Sequence, residues 1–361
     1  MGASASVAIQ EQEARRRSRS IDDTIAQDRA KEAKTVKILM LGPCEAGKST
    51  LAKQVRLIHD KGFADKEKAQ YRHVVRANLA NSLLHVLQAM EDTGQTFSDP
   101  TIAAVASKMT SRLDSPDSHE RMMDVKSEVH MVIAHPHFHR FLESSHNVDL
   151  AESTQYFFKS ADRILSSSYV PTDYDILRAR QKSLGLAETV FHFKGFQIRL
   201  CDVDGSSTLK KKWLQCFENV SAVLFTAAMD TYDTKSKEDE QKTVLEGTLE
   251  AFSSVCHHPG FIHTPLVLFL NKKDTFKAKL KVSPLAAHWP EYKGTSDYTE
   301  GAQFIKGKFQ QTAGAKKHFF VHVTCAIETA TVRSVFDSCL ASILQCTAGP
   351  ASPDHPTPLS H

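Results

Sequence analysis

The sequence lacks the features that mark several common classes of protein. No apolar run approaches the roughly 20 residues needed to cross a bilayer, so we expect no membrane-spanning helix. Its 7 cysteines show no paired spacing, which predicts reduced thiols of the cytosolic kind. A net charge of +3 leaves no case for nucleic acid as the main partner. With 361 residues, 41% of them hydrophobic, the chain can form one or two domains with a sizeable core.

The first residues carry a lipidation pattern. "MGASAS" matches Met-Gly-x-x-x-Ser, the acceptor for myristoylation on Gly2. One myristoyl chain binds membranes only marginally, and Ala3 offers no thiol for a second acyl chain. An arginine cluster between residues 15 and 19 can add about 1 kcal/mol per arginine near anionic lipid. We therefore expect a weakly anchored protein at the cytoplasmic face of a membrane, such as the plasma membrane. The alternative for the myristoylation pattern is a chance match, and the alternative for the arginine cluster is a solvated helix face.

Composition and periodicity divide the chain into five segments. Apolar runs alternate with helical stretches after residue 185, which predicts an α/β fold: a mostly parallel sheet with helices on both faces. An all-helical pattern interrupts this domain near its beginning. The predicted segments are an N-terminal helix (1–34), the first part of the α/β domain (35–62), the inserted helical domain (63–176), the second part of the α/β domain (177–346) and a disordered Pro/Ser-rich tail (347–361).

A phosphate-binding loop stands between the first predicted strand and helix. "LGPCEAGKST" has the spacing G-x4-G-K-S, formed by Gly42, Gly47, Lys48 and Ser49. Backbone N–H groups at such a helix start bind phosphate oxygens, the lysine reaches the β- and γ-phosphates, and the serine hydroxyl ligates Mg²⁺. The loop predicts binding of a nucleoside triphosphate. Pro43 removes one backbone N–H from it.

Three further motifs end predicted strands. "NKKD" offers Asp274, whose carboxylate can accept from both N1–H and the 2-amino group of guanine, together with Asn271. "TCA" offers the Ala326 N–H for the guanine O6. "DVDG" offers Asp202 for a water-mediated Mg²⁺ contact and the Gly205 N–H for the γ-phosphate. Because ligands bind at the carboxyl edge of such sheets, these motifs together predict a GTP site.

The chain resembles the α subunits of heterotrimeric G proteins. The resemblance is carried by "DILRARQKSLG", "DVDGSSTLKKKWLQCFENVSAVLFTAAMDTYD", "LFLNKKD" and "TCAIET", and extends over residues 8–345. It implies a Ras-like P-loop GTPase domain with an inserted helical lid, a GTP/GDP signalling switch and Mg²⁺ as cofactor. It also implies a G-protein βγ dimer, effectors and a seven-helix receptor as partners.

The same resemblance assigns roles to matching positions. Arg180 falls on the built-in arginine finger, which in this class of enzyme contributes about 10³–10⁵ in rate. Ser183 falls on a Mg²⁺ ligand of the first switch. The other implied nucleotide-binding residues are Glu45, Ala46, Thr50, Leu177, Arg178 and Lys272. The implied contacts of the second switch with βγ are Lys212, Trp213, Cys216 and Phe217.

Several positions depart from the family pattern. Ser206 replaces the water-orienting glutamine and is too short to reach both water and γ-phosphate, while Cys44 replaces a loop glycine beside that phosphate. We therefore expect hydrolysis slower than the rate of about 10⁻² s⁻¹ that is the general value for Gα proteins with a built-in arginine. A switch ion pair is replaced by Lys210 and Gly247, for which Glu246 is a possible substitute. The proline-rich tail makes receptor coupling doubtful or different.

Two other functions stay open at this point. The first is a GTP-bound scaffold for effectors that no longer hydrolyses GTP, which Ser206 and Cys44 favour and Arg180 opposes. The second is an ATPase or small-molecule kinase, which Asp274 opposes. Five histidines between residues 130 and 146 could suggest a metal site, but exposed histidines are the favoured interpretation because no cysteine or carboxylate cluster lies near them.

Overall fold

The computed structural model describes residues 16–19, 21–26, 32–113, 122–144, 153–181, 186–203, 219–237 and 239–347. Residues 16–19 and 21–26 are helical and exposed, and the predicted extent of the N-terminal helix stays a prediction. Among the helices within these ranges, none is both long and apolar enough to cross a membrane.

A six-stranded sheet forms the centre of the α/β fold. Its strands are β1 (Thr35–Leu41), β2 (Leu186–Phe193), β3 (Phe196–Val203), β4 (Ala222–Ala228), β5 (Leu266–Asn271) and β6 (Phe319–Val323), in the order β2-β3-β1-β4-β5-β6. All neighbours pair in parallel except β2 and β3, which are antiparallel. Every residue of β4 and β5 is buried, as expected for parallel strands covered on both faces. The mostly parallel sheet predicted from the sequence is confirmed.

Helices cover both faces of this sheet. They are α1 (Lys48–His59), α9 (Val244–Cys256), α10 (Lys273–Lys279), α11 (Leu285–His288), α12 (Tyr298–Ala313) and α13 (Thr329–Thr347). Alternate strand residues point to opposite sides, so Ile38 packs in the same cluster as α1 and α13. Its neighbour Leu39 packs in the same cluster as α9 and α12. The two apolar layers hold the sheet between them.

The chain between the phosphate loop and β2 contributes helices. These are α2 (Asp65–Asp92), α3 (Pro100–Leu113), α4 (Lys126–Ile133), α5 (Pro136–Ser144), α6 (Thr154–Lys159), α7 (Ala161–Ile164) and α8 (Asp173–Arg178). Helices α2 to α7 share a separate apolar core, in which Val75, Leu79 and Leu83 of α2 are completely buried. No strand occurs in the described part of this segment. The predicted combination of a Ras-like sheet and a helical insert is therefore present, while the domain boundaries themselves stay predictions.

A buried carboxylate fixes the last helix of the insert. Asp175 is fully buried within α8 and accepts hydrogen bonds from Arg163 at 2.6 and 2.7 Å. It also accepts from the Tyr156 hydroxyl at 2.6 Å and from the Thr172 N–H at 2.7 Å. Burial by itself raises the pKa of this carboxyl, but these donors outweigh it and lower the pKa to about 2. The start of α8 is thus tied to α6 through Tyr156 and to α7 through Arg163.

We predict that this carboxylate makes the fold acid-sensitive. Its pKa in the folded chain, about 2, lies below the unfolded value of about 3.9. Its contribution is therefore complete above about pH 4 and is lost as the pH falls toward 2. Asp175→Asn should lower the free energy of unfolding by about 2–3 kcal/mol at pH 7, measured by denaturant unfolding.

The effect of Asp175→Asn should shrink below pH 4, where wild type loses the same interaction. Asp162→Asn is the matched control, because the Asp162 side chain is 92% exposed and should change stability by less than about 0.5 kcal/mol. An equal loss in both variants, or a loss in Asp175→Asn that does not depend on pH, would contradict this assignment.

Candidate functional site

Two glycines shape the loop that joins β1 to α1. Gly42 has φ +135° and Gly47 has φ +99°, and both lie in the region that side chains rarely adopt. A Cβ on Gly42 would lie 2.2 Å from the Thr226 carbonyl oxygen, and a Cβ on Gly47 would lie 2.2 Å from Asn271 Nδ2. The loop therefore runs directly against β4 and β5, which no other residue type permits.

Lys48 is held inside the curve of this loop. Its ammonium donates hydrogen bonds to the carbonyl oxygens of Gly42 and Pro43, both at 2.8 Å. The side chain is only 6% exposed. Lys48 is the first residue of α1, whose N-terminal N–H groups and helix dipole attract anions. The loop, the lysine and the helix start together form a site suited to phosphate oxygens.

Ser49 and Asp202 meet at the end of β1 and β3. The Ser49 hydroxyl donates to Asp202 Oδ2 at 2.8 Å. Asp202 is 3% exposed and lies opposite Met40 in the parallel β1–β3 register. A hydroxyl and a carboxylate are hard oxygen ligands of the type that Mg²⁺ prefers. The predicted pairing of these two residues around a magnesium site is compatible with this geometry.

Asn271, the last residue of β5, connects the loop to the segment that follows β6. Its Nδ2 donates to the Ala46 carbonyl at 2.9 Å. Its Oδ1 accepts from the Ala326 N–H at 2.9 Å and from the Thr324 hydroxyl at 3.3 Å. The Ala326 N–H, which we predicted to meet the guanine O6, is thus engaged by Asn271 in this structure. A bound base would have to share this donor with Asn271.

The other residues of "NKKD" flank the same edge. Lys272 is the N-cap of α10 and has a left-handed φ of 61°, and its ammonium lies 3.5 Å from Asp230 Oδ2. Burial raises the pKa of Asp230, and Lys272 opposes this effect. Asp274 is exposed, and the Cys325 thiol hydrogen-bonds to it. Burial, followed by the negative charge of Asp274, raises the pKa of Cys325 to about 12, so this thiol stays protonated.

Arg180 projects toward the phosphate loop from the other side. Its Nη2 lies 2.6 Å from Glu45 Oε1, and both side chains are about 60% exposed (62% and 60%). Glu45 occupies a left-handed conformation with φ 63°. The sequence predicted both residues for the site, but not that they pair. Cys44, beside Glu45, is exposed.

The residues before Arg180 are anchored to α1. Lys53 of α1 donates to the carbonyl oxygens of Ile176 and Ala179, at 3.0 and 2.8 Å. Burial lowers the pKa of Lys53 to about 8, although the charge of Asp202 works against it. These contacts place a cation at the C-terminal end of α8, where it interacts favourably with the helix dipole. No sequence motif marks Lys53, because its role depends on a segment more than a hundred residues away.

Leu177 and Arg178, both predicted to bind nucleotide, have well-defined surroundings. Leu177 is 3% exposed. The Arg178 guanidinium stacks over the rings of Tyr156 and Tyr174, 4.9 and 4.8 Å from their centres, and donates to the Tyr174 hydroxyl. Their backbone is fixed by these contacts, while their predicted role stays a prediction.

Other predicted site residues lie outside the described ranges: Gly2, Arg15, Ser183, Gly205, Ser206, Lys210, Lys212, Trp213, Cys216 and Phe217.

Glu246, the possible switch partner, accepts from the Thr243 N–H at 2.7 Å and from its hydroxyl at 3.0 Å, so it caps α9. Across the described residues, no group of three or more His, Cys, Asp or Glu side chains could hold a metal ion. Thr50 lies in the first turn of α1 and is half-buried.

Comparisons with known proteins agree with this geometry. A family model described as "G-protein alpha subunit" matches residues 15–343. The chain is similar to a guanine nucleotide-binding protein G(o) subunit alpha from Locusta migratoria, with 36% identity over 338 residues that cover 92% of this chain and 94% of the locust protein. A protein of the same description from Caenorhabditis elegans is 37% identical over 335 residues, covering 91% and 94% of the two chains.

We predict that Gly47→Ala disables the phosphate loop. The added Cβ meets an Asn271 side chain that its hydrogen bonds hold in place, at a φ that alanine disfavours. Strain of about 1–3 kcal/mol should weaken binding of a fluorescent GTP analogue about 5–150-fold. Gly307→Ala is the matched control, since Gly307 lies within α12 with nothing near the added Cβ. Unchanged binding by Gly47→Ala would contradict this account of the loop.

Proposed function

The chain belongs to the family of G-protein α subunits, which are GTP-binding signalling proteins, and from this premise we propose that it is a GTP/GDP switch with slow intrinsic hydrolysis. The observation that carries the proposal is that the phosphate loop, Asp202 and Asn271 meet at the carboxyl edge of one sheet. GTPase activity is a general property of this family. The slow rate and the roles of individual residues are proposals for this chain.

The phosphates of GTP bind in the loop between Gly42 and Ser49. The backbone N–H groups at the start of α1 receive the phosphate oxygens. Lys48 already faces the inside of the loop, so its charge can reach the β- and γ-phosphates with little rearrangement. Pro43 lacks an N–H, and its carbonyl serves to hold Lys48 instead. The loop therefore keeps a phosphate-binding role despite the unusual proline.

Ser49 and Asp202 would hold Mg²⁺, the serine directly and the aspartate through water. Their oxygens lie 2.8 Å apart, close enough for both to serve one ion. When bound, Mg²⁺ neutralises charge on the β- and γ-phosphates. Ser183, predicted from the resemblance as a further hydroxyl ligand, lies outside the described residues.

Guanine is recognised at the ends of β5 and β6. Asp274 is exposed and can accept from N1–H and the 2-amino group, a pair of donors that adenine lacks. The hydrogen bond from the Cys325 thiol leaves the Asp274 carboxylate with further acceptor capacity. The apolar stem of Lys272 lies along the base, while Asp230 holds its ammonium. The Ala326 N–H is available to the base only if Asn271 shares it.

Arg180 stabilises the charge that develops on the transferred phosphoryl group. Its pairing with Glu45 keeps the guanidinium beside the phosphate loop. Ser206 stands where the family has the glutamine that orients the attacking water, and Cys44 replaces a loop glycine. Hydrolysis is therefore slow because the water is poorly oriented, although charge stabilisation is retained.

The proposed partners are a G-protein βγ dimer, effectors and a seven-helix receptor, reached from the cytoplasmic face of a membrane. Exposed Ile21 and Ile25 are four residues apart and so share one side of the N-terminal helix. Arg16, Arg17 and Arg19 are also exposed. A helix with these features, together with myristate on Gly2, suits a membrane surface or a βγ dimer.

The first test is the rate of hydrolysis of pre-bound GTP in a single turnover. We expect the wild type to react more slowly than about 10⁻² s⁻¹, and Ser206→Gln to be faster by about tenfold or more, because glutamine can orient the attacking water. Ser207→Gln is the matched control, since it adds the same side chain one residue away. A wild-type rate at or above about 10⁻² s⁻¹ would refute slow turnover. No hydrolysis in either protein would instead favour the non-hydrolysing scaffold.

A second test addresses the base. We expect GTP to bind at least about 10²-fold more tightly than ATP, because adenine lacks the pair of donors that guanine offers to the Asp274 carboxylate. Asp274→Asn should weaken GTP binding about 10–100-fold, as hydrogen bonds to a charged group are worth about 1.5–3 kcal/mol. Asp92→Asn, which removes an exposed charge at the end of α2, is the control in equilibrium competition. Equal binding of GTP and ATP would support the ATPase alternative.

A further inference from the structure

One side chain of the helical insert binds both polar groups of the Arg180 backbone. Asn78, on α2, accepts from the Arg180 N–H at 2.9 Å through Oδ1. Its Nδ2 donates to the Arg180 carbonyl, also at 2.9 Å. The side-chain amide thus exchanges two N–H···O hydrogen bonds with the Arg180 backbone, as two hydrogen-bonded residues do in a β-sheet. Asn78 and Arg180 are 102 residues apart in sequence.

Asn78 is itself rigidly held. Its second Nδ2 proton is donated to the Val74 carbonyl, one turn earlier on α2, at 2.8 Å. Such a bond to the preceding turn limits the rotamers that an asparagine in a helix can adopt. Val75 and Leu79, its neighbours on α2, are completely buried in the core of the insert. The amide that Arg180 meets is therefore a fixed part of the insert rather than a mobile surface group.

The other side of the same backbone is held by the phosphate-loop helix. Lys53 donates to the Ala179 carbonyl at 2.8 Å. Asn78 on α2 and Lys53 on α1 therefore bind two consecutive residues, Arg180 and Ala179. The Arg180 side chain beyond this point is 62% exposed, and its ion-pair partner within the described residues is Glu45. The position of its guanidinium therefore depends on where its backbone is held.

We propose that Asn78 is a positioning residue for phosphoryl transfer, acting through Arg180. Asn78 binds the Arg180 N–H and C=O and so fixes the position of the Arg180 backbone. The backbone position in turn determines where the guanidinium lies relative to the γ-phosphate. The inference rests on the proposed function, because it requires Arg180 to stabilise the charge of the transferred group. It adds that the helical insert contributes a specific polar contact to hydrolysis, besides covering the nucleotide.

The test is a double-mutant cycle on the full chain, read by single-turnover hydrolysis of pre-bound GTP. The proteins are wild type, Asn78→Ala, Arg180→Ala and the double variant. We expect Asn78→Ala to slow hydrolysis about 10–100-fold, since misplacement of about 1 Å can cost that much. Arg180→Ala should slow it by a larger factor. The double variant should match Arg180→Ala within about twofold, because an arginine that is absent cannot be misplaced.

Two controls separate positioning from damage to the fold. Asn81→Ala removes an exposed asparagine from the same helix and should leave the rate unchanged. Asn78→Leu keeps the approximate volume and removes the polar atoms, so it should slow hydrolysis as much as Asn78→Ala. Binding of a non-hydrolysable GTP analogue and the thermal unfolding midpoint should stay close to wild type in each variant.

Three results would overturn the proposal. A normal rate in Asn78→Ala beside a slow Arg180→Ala would show that Asn78 does not position the arginine. Losses that multiply in the double variant would show that Asn78 acts independently of Arg180. A normal rate in Arg180→Ala alone would remove the catalytic role of Arg180, and with it both the proposed mechanism and this inference.

Discussion

The contact between the phosphate loop and Asn271 is the constraint on which the rest of the site depends. The loop approaches β5 so closely that Gly47 has no room for a Cβ. Asn271 bridges the Ala46 carbonyl in the loop and the Ala326 N–H after β6. The proposed phosphate and base ends of the site are thus joined through the side chain of Asn271, which is 2% exposed. A displacement at either end would be transmitted to the other through bonds rather than through solvent.

The segment from α8 to Arg180 is held in a comparable way. Asp175 ties the start of α8 to the core of the insert, and Lys53 ties its end to α1. Polar contacts at both ends of α8 therefore connect the helix after the phosphate loop, α1, with the segment that carries Arg180. The helical segment, which has no phosphate-binding motif, is in this way held against the edge of the sheet.

Most of the fold could be predicted because it is encoded locally. The alternation of apolar runs with helical stretches after residue 185 indicated a parallel sheet covered on both faces, and the glycine spacing of the loop indicated a phosphate site. The polar connections could not be predicted, since they join residues far apart in sequence. Lys53 and Asn78 carry no motif, and their roles follow from which carbonyl or N–H the fold brings to them. The Ala326 N–H was assigned to the base, but Asn271 competes for it. Ser183 and Ser206 stay predictions.

The pairing of β1 with β3 has a consequence for how the chain folds. Thr35 and Gln197 are register partners although 162 residues separate them. Closing a loop of this length is slow for a disordered chain, because the entropy must be lost before the contact is gained. The helices between the two strands have an apolar core of their own, and the antiparallel β2–β3 pair closes through the two-residue turn Lys194–Gly195, whose φ angles are both positive. If the insert collapses first, the effective loop becomes much shorter, and the sheet can assemble from a preformed hairpin and a compact helical unit. The nucleotide site, which lies at the junction of these pieces, is then among the last parts of the molecule to form.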